Sequence, residues 1–343
     1  MLNASMIDRP QNGRRLTSPE ADPKCLCGTY TALVTPFRET ADDTAIDWPA
    51  LEGLIAEQVR HRCGIVLLGT TGESPTIELG EREQLTAFCR RQVGEHFPLI
   101  VGTGTNSTRE TVRRTKLARD QGADAALLVH PYYNKPTQTG VRAHFGAVAD
   151  AVPDFPAILY DVPSRCGSGM TAETVIELSQ RPTIVGLKWA SGDMGQLQRV
   201  IRGTDERFSV LSGDDNRTHE AMQQGARGVI SVLSNLLPGR VRALVEHLLR
   251  AREGRNAQDH LRRAGELHEQ LLPLMKGCFL QCNPLPIKTA LAVRGAIQEV
   301  FRLPLCPMDK EFRDQLIALL ERENLIPFPA LSSSASFLSS SSV

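Results

Sequence analysis

Short apolar runs rich in valine, isoleucine and leucine alternate along this chain with longer stretches whose apolar residues recur every three or four positions. The first kind reads as strands buried on both faces, the second as helices with one face against a core. Eight strands are predicted, at Thr29–Thr35, Gly64–Leu68, Leu99–Gly102, Ala125–Val129, Ala157–Asp161, Ile184–Lys188, Phe208–Ser212 and Gly228–Ser231. Helical periodicity fills the gaps between them, for instance at Trp48–Arg62, Gly80–Val93, Arg109–Gln121, Gly140–Ala151 and Ala172–Gln180. Ser107 with Glu110 reads as a capping box at one helix start, and Thr171 as the cap of another. Regular alternation of this kind implies parallel strands with crossover helices, and eight units close a barrel. The expected fold is therefore α/β, a (β/α)8 TIM barrel over residues 28–252. Beyond Pro238 the strand signals stop. Residues 253–327 are expected to form a C-terminal α-helical appendage, broken at Pro284-Leu285-Pro286. A polar leader (1–27) and a serine-rich tail (328–343) are expected to be disordered.

In such barrels the chemistry sits at the carboxyl ends of the strands, and that is where this chain's unusual residues fall. After the second strand comes Gly69-Thr70-Thr71-Gly72-Glu73-Ser74, and after the fourth Pro131-Tyr132-Tyr133-Asn134. The fifth ends in Tyr160-Asp161-Val162-Pro163-Ser164-Arg165, the sixth in Lys188, and Gly213-Asp214-Asp215-Asn216 follows the seventh. A lysine closing a buried strand loses solvation, which favours the neutral, nucleophilic amine; a rim lysine paired to a carboxylate is the plainer alternative. Thr70 and Thr71 offer hydroxyls and backbone N–H groups to a carboxylate, although an ordinary strand-to-helix turn would look the same. The Tyr160 phenol could shuttle protons near Lys188, or be a core tyrosine with a satisfied hydroxyl. Arg165 could bind a carboxylate bidentately, or form a surface salt bridge.

Composition narrows the partners. Lys plus Arg and Asp plus Glu both number 39, so no global charge points to nucleic acid or a membrane surface. No apolar run approaches a membrane span, and the leader lacks the features of a signal or transit peptide, so a cytoplasmic protein with small-molecule partners is expected. The eight cysteines and eight histidines show no spacing that builds a metal site, and no glycine-rich dinucleotide fingerprint precedes a helix. Neither metal nor dissociable cofactor is expected.

The strings LVTPF, GTTGESPT, PYYNKPTQTG, LYDVPSRCG, GLKWASGD, LSGDDN and GVISVLSN, in this order, resemble the 4-hydroxy-tetrahydrodipicolinate synthases (dihydrodipicolinate synthases) of the class I pyruvate aldolase/lyase superfamily. NPLPIKTAL and FRLPLCP carry the resemblance through the appendage, so that it runs from about Gly28 to Pro327. It implies a pyruvate Schiff base on Lys188, with Tyr160, Thr70 and Tyr133 as a proton relay. Thr71 would hold the pyruvate carboxylate, Arg165 the carboxylate of L-aspartate 4-semialdehyde, and Ile230 would turn its backbone oxygen to the site. Tyr133 would enter the site of a neighbouring subunit, making a homo-oligomer, commonly a dimer of dimers. The reaction implied is the first committed step of diaminopimelate and lysine synthesis. The alternative is a related pyruvate lyase acting on N-acetylneuraminate or a 2-keto-3-deoxy sugar acid; such enzymes typically lack the arginine of VPSR.

Some positions depart from the family pattern. Trp189 stands where glutamate usually follows the lysine, and Asp161 where asparagine is common. Alternation along a strand should turn Trp189 away from the lumen that Lys188 enters. The resemblance also implies a possible regulatory site for lysine at Ser74, Pro75, Leu79, Arg82, Asn106, Glu110 and Tyr132. Leu79 and Arg82 replace hydrogen-bonding residues there, so weak or absent inhibition is expected.

Overall fold

The computed structural model describes residues 26–326 except Asp42 and Arg255, so the leader and tail expectations lie outside the described residues save Leu26 and Cys27. The described residues form ten strands: β1 (Gly28–Ala32), β2 (Phe37–Glu39), β3 (Thr44–Ile46), β4 (Gly64–Leu67), β5 (Leu99–Gly102), β6 (Ala125–Val129), β7 (Ala157–Asp161), β8 (Ile184–Trp189), β9 (Ser209–Ser212) and β10 (Gly228–Ser231). Eight of them close a parallel barrel, β1 pairing with both β4 and β10. Strands β2 and β3 form a separate antiparallel hairpin that the sequence pattern did not predict. The first barrel strand stops at Ala32, three residues short of the expected Thr35, and irregular backbone leads from it to the hairpin at Phe37.

Helices follow in the gaps: α1 (Trp48–Arg60), α2 (Leu79–Val93), α3 (Thr108–Asp120), α4 (Gln138–Ala151), α5 (Pro163–Cys166), α6 (Ala172–Ser179), α7 (Met194–Gly203), α8 (Thr218–Gln223) and α9 (Pro238–Arg252). Three more, α10 (Ala257–Gly277), α11 (Leu285–Val293) and α12 (Lys310–Arg322), make up the appendage. Side-chain caps set several starts: Asp47, Ser107, Thr137, Thr171 and Asp193 each accept a backbone N–H three residues on. At α3 only half of the expected capping box forms, because the Glu110 carboxylate turns to Arg114 Nε at 2.7 Å.

Two apolar layers result. One fills the lumen with Tyr30, Val66, Ile100, Leu127, Ile158, Leu211 and Ile230. The other lies between barrel and helices and runs on without a break into Leu271, Ile287, Leu291 and Leu316 of the appendage. Strand β8 changes phase partway: Ala157 pairs with Ile184 but Ile158 with Gly186, which leaves Val185 as an extra residue. Ile184, Leu187 and Trp189 therefore all face the outer layer, and Lys188 faces inward.

Candidate active site

Lys188 is 6% exposed at the inner end of β8. Its neighbour in register on β7 is Tyr160, and the Lys188 Nζ stands 4.3 Å from the centre of the Tyr160 ring. Room for the lysine stem comes from Gly213, where an added Cβ would lie 3.0 Å from Lys188 Cε and 2.9 Å from Ala190 Cβ. The amine opens into a cavity of about 310 Å³ lined by Thr70, Thr71, Tyr160, Arg165, Asp214 and Asn283 among others. A second cavity of about 240 Å³, mostly apolar, adjoins it and shares Thr70, Tyr160, Val162 and Arg165 as walls.

The turn after β4 is tightly wound. Gly72 and Ser74 N–H groups both donate to the Gly69 carbonyl, and Glu73 N donates to Thr70 O. Thr71, 2% exposed, accepts a hydrogen bond from Asn283 Nδ2 at 3.0 Å, which leaves its own O–H free to donate elsewhere. Glu73 adopts a left-handed backbone with φ 53° and is held by the appendage: Lys288 Nζ reaches its Oε1 at 2.5 Å and Arg302 N its Oε2 at 3.2 Å. Lys288 and Glu73 side chains are both wholly buried, and the ammonium also donates to Val300 O at 2.7 Å between the faces of Phe37 and Phe301. Burial pushes the Lys288 amine below its ordinary range, and Glu73 pulls it back. Losing one partner of such a pair strands a buried charge, at a cost of about 3–5 kcal/mol.

Arg165 is exposed at the cavity mouth, where one guanidinium nitrogen donates to Asn283 O at 3.1 Å and the other contacts Cys282 Sγ at 3.7 Å. Asp214 is half-buried; burial raises its carboxyl above the usual range, with the charge on Lys188 opposing the shift. Its neighbour Asp215 is fully buried and ties β9 to β10, accepting from Ser231 Oγ, Val232 N and Leu233 N at 2.5, 2.8 and 3.0 Å. Among the described residues no group of three or more His, Cys, Asp or Glu side chains is placed to hold a metal ion, and no helix is long and apolar enough to cross a membrane.

Five expected residues, Lys188, Tyr160, Thr70, Thr71 and Arg165, thus meet at one cavity. Two do not. Tyr133 has a left-handed backbone (φ 73°), is 89% exposed and lines neither cavity. Ile230 packs in the lumen layer, whereas Val232, two residues on, lines the cavity. Of the expected regulatory residues, Ser74, Pro75 and Tyr132 line the second cavity beside Arg114. Arg82 turns inward instead, donating to Ile77 O at 3.2 Å, Gly102 O at 3.4 Å, Ser74 Oγ at 2.8 Å and Ser74 O. Burial brings its guanidinium down to about 10. Asn106 offers its carbonyl to Asn134 Nδ2 at 2.9 Å, and Leu79 is half-buried at the start of α2. Sequence reasoning missed Asn283 and Phe279, the appendage's contribution to the cavity wall.

Known proteins resemble this chain in sequence and fold. A relative from Syntrophus aciditrophicus, named 4-hydroxy-tetrahydrodipicolinate synthase, is 42% identical over 300 residues, 87% of this chain and 99% of its own length. The solved dihydrodipicolinate synthase from Acinetobacter baumannii, complexed with pyruvate, superposes with TM-score 0.81 at 38% identity, covering 88% of this chain and 99% of that one. That from Cyanidioschyzon merolae, with lysine bound, gives 0.82 at 36% identity and the same coverage. Residues 26–323 match the dihydrodipicolinate synthetase family, and the chain belongs to it.

Proposed function

We propose that this protein condenses pyruvate with L-aspartate 4-semialdehyde to 4-hydroxy-tetrahydrodipicolinate, the step that opens diaminopimelate and lysine synthesis. The observation that carries this reading is the Lys188 amine, buried and 4.3 Å over the Tyr160 ring, in one cavity with the Thr70-Thr71 turn and Arg165. Thr71, accepting from Asn283, donates its O–H to the pyruvate carboxylate. The amine adds to the ketone carbon, and the carbinolamine loses water to give an iminium ion. A methyl proton leaves, and the enamine carbon attacks the aldehyde carbon, whose oxygen takes up a proton to become the hydroxyl. The amine of the semialdehyde then adds to the imine carbon and displaces Lys188, closing the ring and freeing the enzyme. Tyr160 and Thr70 carry protons in these steps. No separate cofactor takes part, since the covalent Lys188 Schiff base is itself the electron sink.

Arg165 at the mouth binds the carboxylate of the semialdehyde, which favours this reading over cleavage of N-acetylneuraminate or a 2-keto-3-deoxy sugar acid. The exposure of Tyr133 fits a homo-oligomer, at least a dimer and as a fuller assembly a dimer of dimers, in which Tyr133 completes the partner's relay. The enzyme works in the cytoplasm, as a barrel of residues 28–252 with an appendage of residues 253–327. Borohydride added with pyruvate should inactivate it and leave a reduced adduct on the peptide carrying Gly186-Leu187-Lys188-Trp189. An adduct on Lys135 or Lys288 instead, or turnover of N-acetylneuraminate and not of the semialdehyde, would overturn the assignment.

A further inference from the structure

Behind Lys188, on the side of the barrel wall away from the cavity, one glutamine has its whole amide engaged. Gln196, in the first turn of α7, accepts at Oε1 from Trp189 Nε1 (3.2 Å) and from Ser191 Oγ (2.5 Å). Its Nε2 donates to Asp161 Oδ2 (3.0 Å) and to the Met170 carbonyl (2.5 Å). The other Asp161 oxygen accepts from Met170 N at 3.0 Å. Trp189 and Asp161 are wholly buried and Gln196 is 5% exposed, so water does not stand in for the bonds among these three.

This chain of hydrogen bonds has a direction. An indole N–H can only donate, so the oxygen of Gln196 must face Trp189 and its nitrogen must face residue 161. A carboxylate at 161 only accepts, and here it receives one donor on each oxygen. An asparagine could serve Met170 N with its oxygen, but would then set its own NH2 against that of Gln196. An unmade bond between buried groups carries the full desolvation penalty. The members are also those that flank the chemistry. Trp189 follows Lys188, Asp161 follows Tyr160, and the two pairs lie in register across β7 and β8. Ser191 itself lines the lysine's cavity.

We propose that Trp189, Gln196 and Asp161 form a relay of positioning residues whose donor-to-acceptor direction fixes the Lys188 amine against the Tyr160 ring. The proposal rests on the Schiff-base role of Lys188 and adds the groups that hold it. The test exchanges acid and amide between the two ends of one hydrogen bond. Asp161→Asn and Gln196→Glu are made singly and together, and the rate of borohydride-trapped pyruvate adduct formation per folded enzyme is measured well below each variant's Tm. Each single substitution opposes like groups at 161 and 196 and should slow adduct formation about tenfold or more, whereas the pair restores an opposed donor and acceptor there and should form adduct about threefold or more faster than Gln196→Glu, which shares its loss of the donor to the Met170 carbonyl. Trp189 and Ser191 keep their acceptor in the double variant, because a carboxylate at 196 accepts from both, and the Met170 carbonyl loses its donor equally in Gln196→Glu and in the double variant, so the comparison of those two reads the 161–196 bond alone. Singles that lower Tm but form adduct at the parent rate would reduce the relay to plain structure. A double variant no faster than Gln196→Glu would show that the direction of the bond is not what matters. Were the parent chain itself to form no adduct, the Schiff-base reading would fall first, and that outcome is separate from either of these.

Discussion

Lys188 shows how much chemistry a single position can announce. An amine ending an apolar strand is unusual in any context, and the pleat sets it opposite Trp189, although which of the two enters the lumen depends on the extra residue Val185. Thr70, Thr71, Tyr160 and Arg165 were legible for the same reason: each sits at the carboxyl end of a recognisable strand, where barrels carry their chemistry. Asn283 was not. It meets Thr71 from 212 residues away, and the Pro-Leu-Pro after it reads as a helix break rather than a cavity wall. Local sequence encodes a bend, and the destination of the bend depends on packing. Asn283 also changes the expectation for Arg165, whose guanidinium rests on the Asn283 carbonyl and stays exposed. Arg165→Ala should therefore weaken use of aspartate semialdehyde by about 1.5–3 kcal/mol, roughly ten- to a hundredfold in kcat/KM, the range for a hydrogen bond to a charged group. Formation of the pyruvate adduct should hardly change, since Arg165 bonds the backbone carbonyl of Asn283 and not the side-chain amide that serves Thr71. Steady-state rates set beside trapping yields measure both, and equal losses in the two would make Arg165 structural.

Among the elements, strand existence and order followed from apolar periodicity, and β5, β6, β7 and β10 keep their expected bounds, while the other barrel strands shift at an end and the β2–β3 hairpin was not foreseen. The hairpin is too short to show a period, and the extra residue Val185 in β8 shifts a pattern that simple alternation would have carried through. Trp189 nonetheless faces the outer layer, so its bulk lies beside Gln196 rather than beside the pyruvate. Helices α2 and α3 decide the question of lysine. Arg82 of α2 is committed to three carbonyls and a hydroxyl, and Glu110 of α3 is held by Arg114 at 2.7 Å and Arg113 at 3.6 Å. Those arginines hold the Glu110 carboxyl below its usual range. A carboxylate already paired to guanidinium groups has less to offer an amino acid's ammonium. L-lysine should thus inhibit weakly or not at all, and inhibition curves at saturating pyruvate will measure it. Half-inhibition at submillimolar lysine would mean that Glu110 leaves its arginines for the ligand.

For the whole molecule, the outstanding expectation concerns a second copy. A tyrosine that is 89% exposed, on a loop next to Tyr132 at 36%, offers two neighbouring aromatic rings of the kind enriched at protein–protein contacts. Tyr133→Phe and Lys188→Ala should each be nearly inactive alone. Mixed after verified subunit exchange, they should recover up to about a quarter to a half of the activity, because in a two-fold dimer one site receives both wild-type groups. No recovery would place Tyr133 outside the partner's site.

The buried Lys288–Glu73 pair also says something about time. Lys288 follows Glu73 by 215 residues, so a ribosome makes the Thr70-Thr71 turn early and its fastener late. Every barrel strand has been synthesised by Ser231, before Phe279, Asn283 and Lys288 exist. Until they are made, the Thr71 and Glu73 side chains of the turn proposed to hold the pyruvate carboxylate lack the partners that fix them. Translation of the last helices thus arms the lysine, and a chain released early would have the amine without the grip that lets it consume pyruvate.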